Sequence, residues 1–334
     1  MNNITDALTK LNLGQFYTTQ AHDIIKFDIP EHATYIEPFA GQKHLVDYIL
    51  NQHPQAQFEM YDIQPSTADV ITRDTLLHPP CYNSKYIITN PPYRARNKST
   101  NKTIFDKYGH NDLYKCFIQQ IINDPGLGFI IIIPSNFWIS SRDAGLRKQL
   151  CQVYHIEAIR VYEYPTFDDT GISVSIVKGK LGHQHNSITD VYIHSSITDV
   201  SHSIINLADH HYSYRIKNKT IRKEYNIVRW TTKNKSDPGR TNIKIKCISS
   251  SDPVKAEYVS DEQLYIDETP KLSARTYLTL VINPIIDDGK QKIIVQRFNQ
   301  IISSEDYGSY YREKNRRRIT FTEVFDIIHR ILSE

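Results

Sequence analysis

The chain has 334 residues, 40% of them hydrophobic and 23% charged, with a net charge of +3 at neutral pH. These values suit a globular chain of about two domains, each long enough to bury a core, and exclude a disordered or fibrous composition. No apolar run approaches the ~20 residues of a membrane-spanning helix, and Met1-Asn2-Asn3-Ile4 lacks the basic start and apolar core of a signal peptide.

Cys81, Cys116, Cys151 and Cys247 lie far apart and form no CxxC, so reduced thiols in an intracellular protein are expected, with neither a disulfide framework nor a zinc site. His183/His185 and His210/His211 have no partners at metal-ligand spacing and read as solvated loops. No metal and no membrane are expected.

Taken in order, Gly14-Gln15-Phe16-Tyr17-Thr18-Thr19 precedes a predicted helix from Gln20 to Phe27. Thr18 or Thr19 caps that helix or touches a bound cofactor. Thr34-Tyr35-Ile36-Glu37-Pro38-Phe39-Ala40-Gly41 then reads as strand and small-residue turn, followed by a helix carrying Leu45, Val46, Ile49 and Leu50 at helical spacing. Gly41 permits a tight turn and close approach of a ligand. There is no G-x-G-x-x-G, so a nicotinamide dinucleotide is not favoured. Glu37 would repel a pyrophosphate and suits a cationic ligand.

Gln57 to Ile63 is a second strand. Asp62 stands 21 residues after Gly41, the spacing at which an acid accepts ribose hydroxyls in a βαβ unit. A short strand at 68–71 leads to Asp74, which accepts from an adenine amino group or caps a turn; the residues alone leave both open.

Tyr86-Ile87-Ile88-Thr89 is a buried strand ended by Asn90-Pro91-Pro92-Tyr93. The two prolines stiffen the chain just past a strand's carboxyl end, where open α/β sheets bind ligands. Asn90 offers a carboxamide oxygen as acceptor, and Tyr93 a flat face. Together they suit a planar group bearing an amino group, although Asn-Pro and Pro-Pro are also ordinary turn dipeptides. Arg94 to His110 reads as a mobile polar loop. A helix from Asn111 to Asn123, a buried strand Gly128–Pro134, a helix Ser141–Val153 and strands near His155–Tyr162 and Gly171–Lys178 follow. This alternation predicts a doubly wound α/β domain.

From about residue 185 the composition shifts. Eleven cations lie between Tyr212 and Lys246, opposed only by Glu224 and Asp237 and interleaved with Tyr212, Tyr214, Tyr225 and Trp230. Such a stretch fits a phosphate-contacting surface; the other reading is a solvated basic face. Arg215, Lys217, Lys219, Arg222, Lys223, Arg229 and Trp230 are the candidate nucleic-acid backbone contacts. A second basic cluster, Arg312 to Arg318, precedes a predicted amphipathic helix from Thr320 to Leu332.

With these motifs in this order, the first ~180 residues resemble S-adenosylmethionine-dependent methyltransferases of exocyclic amino groups. The resemblance is to the DNA adenine-N6 group with the Asn-Pro-Pro-Tyr motif and gamma-type order, as in type II restriction-modification methylases: cofactor motifs first, then the catalytic motif, then a target-recognition domain. Two departures stand out: Thr19 replaces a usual proline, and Lys43 stands where a second glycine is common.

The resemblance implies a doubly wound, Rossmann-like methyltransferase sheet over 1–185 and a mixed α/β target-recognition domain over 186–334. Thr18 and Ala40 would line the methionine end of the cofactor and Glu37 would sit near its charged amino group, with Pro38, Gly41, Asn90 and Pro92 also binding the cofactor. Asp62 would hold the ribose and Ile63 the adenine ring. Asp74 would accept from the adenine amino group, beside Thr75, and Phe117 would pack on the cofactor. Asn90 and the Pro91 carbonyl would accept the two hydrogens of the target amine, with Pro92 completing the turn. Tyr93 and Phe167 would stack on the extruded base. It further implies double-stranded DNA as substrate, a separate cognate restriction endonuclease as partner, and a cytoplasmic bacterial or virus-encoded intracellular setting. RNA adenine methylation, protein glutamine methylation and a non-catalytic DNA-binding module are the alternatives.

Overall fold

The computed structural model describes residues 27–31, 33–162, 166, 173–183, 188–194, 196, 198–207, 224–249, 254–268, 276–303, 317–319 and 321–334. The chain divides into two compact units, Met1–Tyr214 and Arg215–Glu334. Among the described residues, no helix is long and apolar enough to cross a membrane. All four cysteines are free thiols.

The first unit is built on a nine-stranded mixed sheet. Its strands are β1 (Thr34–Glu37), β2 (Gln57–Asp62), β3 (Ile71–Thr72), β4 (Tyr86–Thr89), β5 (Gly128–Pro134), β6 (Tyr154–Tyr162), β7 (Val174–Leu181), β8 (Ile188–His194) and β9 (Val200–Asn206). They lie in the order β3-β2-β1-β4-β5-β7-β6-β8-β9. β3, β2, β1, β4 and β5 run parallel to one another, and β7 runs antiparallel to both β5 and β6. β4 and β5 are buried at every residue, which is why they read as unbroken apolar runs instead of alternating ones. Successive strands run outward in one direction from β1 and in the other from β4. Their adjacent carboxyl ends therefore open a crevice where the order reverses.

Among the described residues, this sheet is accompanied by α1 (His44–Gln52), α2 (Thr103–Tyr108), α3 (Leu113–Asn123), α4 (Asn136–Ile139) and α5 (Ala144–Val153). α1 buries Leu45, Val46 and Ile49, and α3 buries Phe117, Ile118 and Ile121, the stripes that helical spacing predicts.

Three expectations change. The boundary expected at 185/186 falls between β7 and β8 of a single sheet. β8 pairs in parallel with β6 over Ala158–Tyr162, so the first unit continues past it to Tyr214. The short strand expected at 68–71 begins at Ile71, where pairing with Tyr61 and Asp62 starts. The segment expected as a mobile loop is braced. Residues 96–98 form a 3-10 turn, α2 begins at Thr103, and Ala95 bridges Asp112.

The second unit carries a four-stranded antiparallel sheet of β10 (Asn226–Arg229), β11 (Arg240–Lys246), β13 (Lys255–Tyr258) and β14 (Tyr277–Asn283), in the order β10-β14-β11-β13. A two-stranded ribbon joins β12 (Ile248–Ser249) to β15 (Arg317–Arg318). β11 alternates strictly, with Thr241, Ile243 and Ile245 inside and Arg240, Asn242, Lys244 and Lys246 on the other face. α6 (Asp288–Ser303) and α7 (Phe321–Ser333) cover the apolar face. Ile294, Phe298 and Ile302 of α6 and Val324, Ile327 and Ile328 of α7 join Ile243, Ile245, Leu278, Leu280 and Ile282 in one core.

Candidate active site

The crevice at the carboxyl ends of β1, β2 and β4 forms an open pocket. Glu37, Ala40, Gly41, Asp62, Ile63, Asp74, Thr75, Asn90 and Pro92 all line it. Residues spread over more than fifty positions of the chain are thus gathered in one place.

The turn after β1 is fixed by backbone bonds. The Ala40 amide donates to the Tyr61 carbonyl at 2.8 Å and the Lys43 amide to the Ala40 carbonyl at 2.7 Å. Gly41 (φ 51°) and Lys43 (φ 65°) both take the left-handed conformation. The turn therefore keeps, at Lys43, the shape for which glycine is the unstrained choice. Lys43 also pairs with Asp69 at 2.8 Å.

Asp62 is 3% exposed. Its Oδ2 accepts from the Gly41 amide and its Oδ1 from the Gln64 amide, each at 2.8 Å. A carboxylate has about four acceptor positions, so the two oxygens can still take ligand hydroxyls. Burial raises its pKa, opposed by these backbone bonds.

Glu37 lies deeper, at 1% exposure. Its Oε1 accepts from the Phe39 amide at 3.1 Å and from the buried Thr89 hydroxyl. Thr89 is the last residue of β4, so this bond ties the two strand ends together. Among the described residues no cationic side chain is paired with Glu37. Burial pushes its pKa up to about 8, with the nearby Asp62 adding to the rise. Among the described residues this buried acid has no counter-ion, which suits a ligand that brings its own positive charge.

Asp74 resolves part of its ambiguity. Its Oδ1 accepts from the Leu76 and Leu77 amides at 3.1 and 3.0 Å, so it caps a turn while still lining the pocket. Thr75 donates to the Pro38 carbonyl at 2.9 Å. The same turn is held from behind by Gln120 of α3. Its Nε2 donates to the Thr75 and Leu76 carbonyls at 2.9 and 3.0 Å, and its Oε1 accepts from the Tyr82 hydroxyl at 3.1 Å.

Asn90 is half-buried at the pocket wall, immediately after β4. The Tyr93 hydroxyl lies 2.6 Å from its Oδ1 and 3.0 Å from the Ile132 carbonyl. Tyr93 is 7% exposed, packs edge-on against Tyr114 and does not line the pocket. The expected flat face for stacking is thus turned inward, because the hydroxyl finds its partners on the sheet.

Phe117 also differs from expectation. It is fully buried behind Phe39, ring centroids 5.3 Å apart, and Phe39 is the ring that reaches the pocket. Pro38 and Pro91 shape the turns without lining the cavity. Thr18 and Phe167 lie outside the described residues.

Sequence reasoning missed Arg73, His44, Gln42, Ile104 and Leu113, which also line the cavity. It also missed Thr89 and Gln120. Thr89 adjoins Asn90 and could have been found as a polar residue closing an apolar strand; Gln120 carries no local signal.

In the second unit, Trp230 is buried. Its indole donates to the Lys235 carbonyl at 3.1 Å and the Arg240 guanidinium sits over its ring. Arg229 is neutralised by the buried Asp267 at 2.8 Å. Both were expected to face DNA, and both instead hold a loop through these contacts. Lys233 and Lys235 are exposed and Lys244 and Lys246 half-exposed. Arg215, Lys217, Lys219, Arg222 and Lys223 lie outside the described residues.

Residues 83–167, which span Asn90 to the end of β6, match the family model of the Eco57I restriction-modification methylase. No curated protein matches the chain. Among solved structures, the methyltransferase subunit of a type I restriction-modification system from Streptococcus thermophilus aligns at 16% identity over 54% of this chain and 47% of its own, with a TM-score of 0.43. A Listeria monocytogenes protein assigned to the class I S-adenosylmethionine-dependent methyltransferases aligns at 15% identity over 59% and 72%, with a TM-score of 0.42. The type IIL restriction-modification enzyme MmeI, in complex with DNA, aligns at 12% identity over 73% and 42%, with a TM-score of 0.38. The chain spans about half the length of the modification-subunit structures it matches.

Proposed function

We propose that this protein is a site-specific DNA methyltransferase that uses S-adenosylmethionine to methylate N6 of an adenine flipped out of duplex DNA, in a restriction-modification setting. The observation that carries the reading is the convergence of Glu37, Asp62 and Asn90 on one pocket at the switch point of the sheet. The family match over 83–167 supports it, and the outward winding of the parallel strands from β1 and β4 supports a doubly wound sheet.

The pocket's donor set fits the cofactor. Glu37 would hold its ammonium group, Asp62 its ribose hydroxyls, and Ile63, 45% exposed, its adenine face. Asp74 keeps Oδ2 for the adenine amino group. When bound, the cofactor supplies a methyl already activated on a sulfonium centre.

The chain's own part is orientation. An adenine amino nitrogen is a poor nucleophile because its lone pair is delocalised into the ring. Asn90 Oδ1 and the Pro91 carbonyl accept its two hydrogens, which favours a pyramidal nitrogen with its lone pair directed at the methyl carbon. Positioning and hydrogen bonds that strengthen in the transition state supply the rate. The base must leave the duplex to reach Asn90. For Tyr93 to stack on it, the ring has to turn out of its contact with Tyr114. The second unit, with Lys233, Lys235, Lys244 and Lys246 on its surface, serves target recognition.

The test is transfer of labelled methyl to unmethylated duplex DNA, structured RNA and protein extract in parallel, followed by nucleoside analysis. N6-methyladenine in the duplex alone is the expected result. Label confined to RNA or protein overturns the substrate, and no label anywhere with cofactor binding intact overturns the activity.

A further inference from the structure

The segment between the two walls of the pocket has a property that the proposed chemistry leaves unused. Pro92 and Ile104 both line the cavity, and the chain between and just beyond them is strongly basic. Arg94, Arg96, Lys98, Lys102 and Lys107 are opposed only by Asp106. Five cations against one carboxylate in 14 residues exceed the whole chain's net charge of +3.

This loop is built, not loose. Lys102 donates its ammonium to the Arg96 and Ser99 carbonyls, and Arg94 donates to the Lys98 carbonyl. Arg96 pairs with Asp106, the one carboxylate of the segment, at 2.5 Å. The base of the loop is clamped where the Arg96 amide donates to the Asn111 carbonyl and the Leu113 amide to the Arg94 carbonyl, at 2.8 and 3.1 Å. Asp112, the next acid, is bound to Lys115, which Asp143 also holds, each at 2.9 Å. Lys98, the last residue of the 3-10 turn, is exposed.

We infer that residues 94–102 form a phosphate-gripping arm on the catalytic unit, which holds the sugar–phosphate backbone beside the target base as that base enters the pocket. The inference rests on the proposed DNA substrate. A base seated at Asn90 leaves its own backbone at the pocket mouth, and the loop is joined to Asn90 through only three residues. Cations held by their own backbone lose little freedom on binding. Contacts of this kind position the strand without reading its sequence.

The experiment is equilibrium binding of the full chain to a fluorescent duplex across about 50 to 200 mM salt, with Lys98→Ala and Arg96→Gln beside wild type and Lys98→Arg as the charge-retaining control. Each lost phosphate contact is expected to flatten the slope of log K against log salt by about 0.9. Affinity should weaken by the same factor on methylatable and unrelated duplexes, Lys98→Arg should restore the wild-type slope, and cofactor affinity should stay unchanged. A wild-type slope in both Lys98→Ala and Arg96→Gln overturns the inference. So does a loss confined to methylatable duplexes. If those wild-type slopes accompany normal methylation of DNA, the inference alone falls; if wild type neither binds nor methylates the duplex, the DNA reading falls first.

Discussion

Glu37→Gln separates the two roles of the pocket floor, because the buried carboxyl costs stability that a ligand's charge would recover. Its pKa rises from the ordinary 4.5 to about 8, through burial first, against the bonds from Thr89 and Phe39 and with Asp62 nearby. Between pH 4.5 and 8 the folded protein therefore binds a proton that the unfolded chain has lost, and stability falls as pH rises through that window. At about 1.4 kcal/mol per unit, the cost is roughly 3 kcal/mol at pH 7 and approaches about 5 kcal/mol above pH 8. Glutamine keeps an acceptor oxygen for both donors and has no charge to desolvate. The ligand-free variant should thus be more stable than wild type by about 3 kcal/mol at pH 7, or roughly 6–12 °C in the transition of a unit this size. The difference should vanish below pH 4.5. Asp62 is also raised by burial, and its charge adds to the rise at Glu37, so their mutual repulsion is part of what Glu37→Gln removes.

Ligand binding reverses the order. At pH 7 about one wild-type molecule in ten has Glu37 ionised, so capture of a cationic group releases a proton. Wild-type affinity should rise about tenfold from pH 6 to pH 7 relative to Glu37→Gln, a ratio from which the ligand's own amino titration cancels. Thermal unfolding from pH 4 to 9 and calorimetric titration with S-adenosylhomocysteine measure both effects. A Glu37→Gln variant no more stable than wild type at pH 7, or the same pH dependence of affinity in both proteins, would refute the reasoning.

Further predictions concern residues with separable roles. Asn90→Ala should lower the methyl-transfer rate by about 10²–10³ or more, the cost of losing a hydrogen bond made in the transition state, while cofactor affinity measured by calorimetry survives. Gln120→Leu leaves the Thr75 and Leu76 carbonyls without their buried donor, at about 1–3 kcal/mol for each unsatisfied group. It should raise the KM for cofactor more than it lowers kcat in steady-state assays. Trp230→Ala should destabilise the second unit by about 3–5 kcal/mol in denaturant titration; a loss of DNA affinity at unchanged stability would restore the contact role instead.

The sequence alone carried the parts of this protein that depend on neighbours in the chain. The apolar runs at 86–89 and 128–134, the proline stop at 91–92 and the interval from Gly41 to Asp62 are local patterns. Local sterics and burial on both faces of the sheet force them, so Glu37, Asp62 and Asn90 could be placed at strand ends before any coordinates. Their convergence required the strand order, because β1 and β4 are neighbours in space across an intervening helix and two strands. The tertiary structure also decided what the composition left open. Trp230 and Arg229 sit in a basic stretch, yet an indole donor and a guanidinium found partners inside the second unit. Tyr93 turned inward because the Ile132 carbonyl lies within reach of its hydroxyl. The loop after Tyr93 looked mobile by its polarity, but Lys102 found the Arg96 and Ser99 carbonyls and closed it. In each case the deciding partner is a backbone carbonyl or buried acid whose position the fold sets, and side-chain type alone does not encode that position.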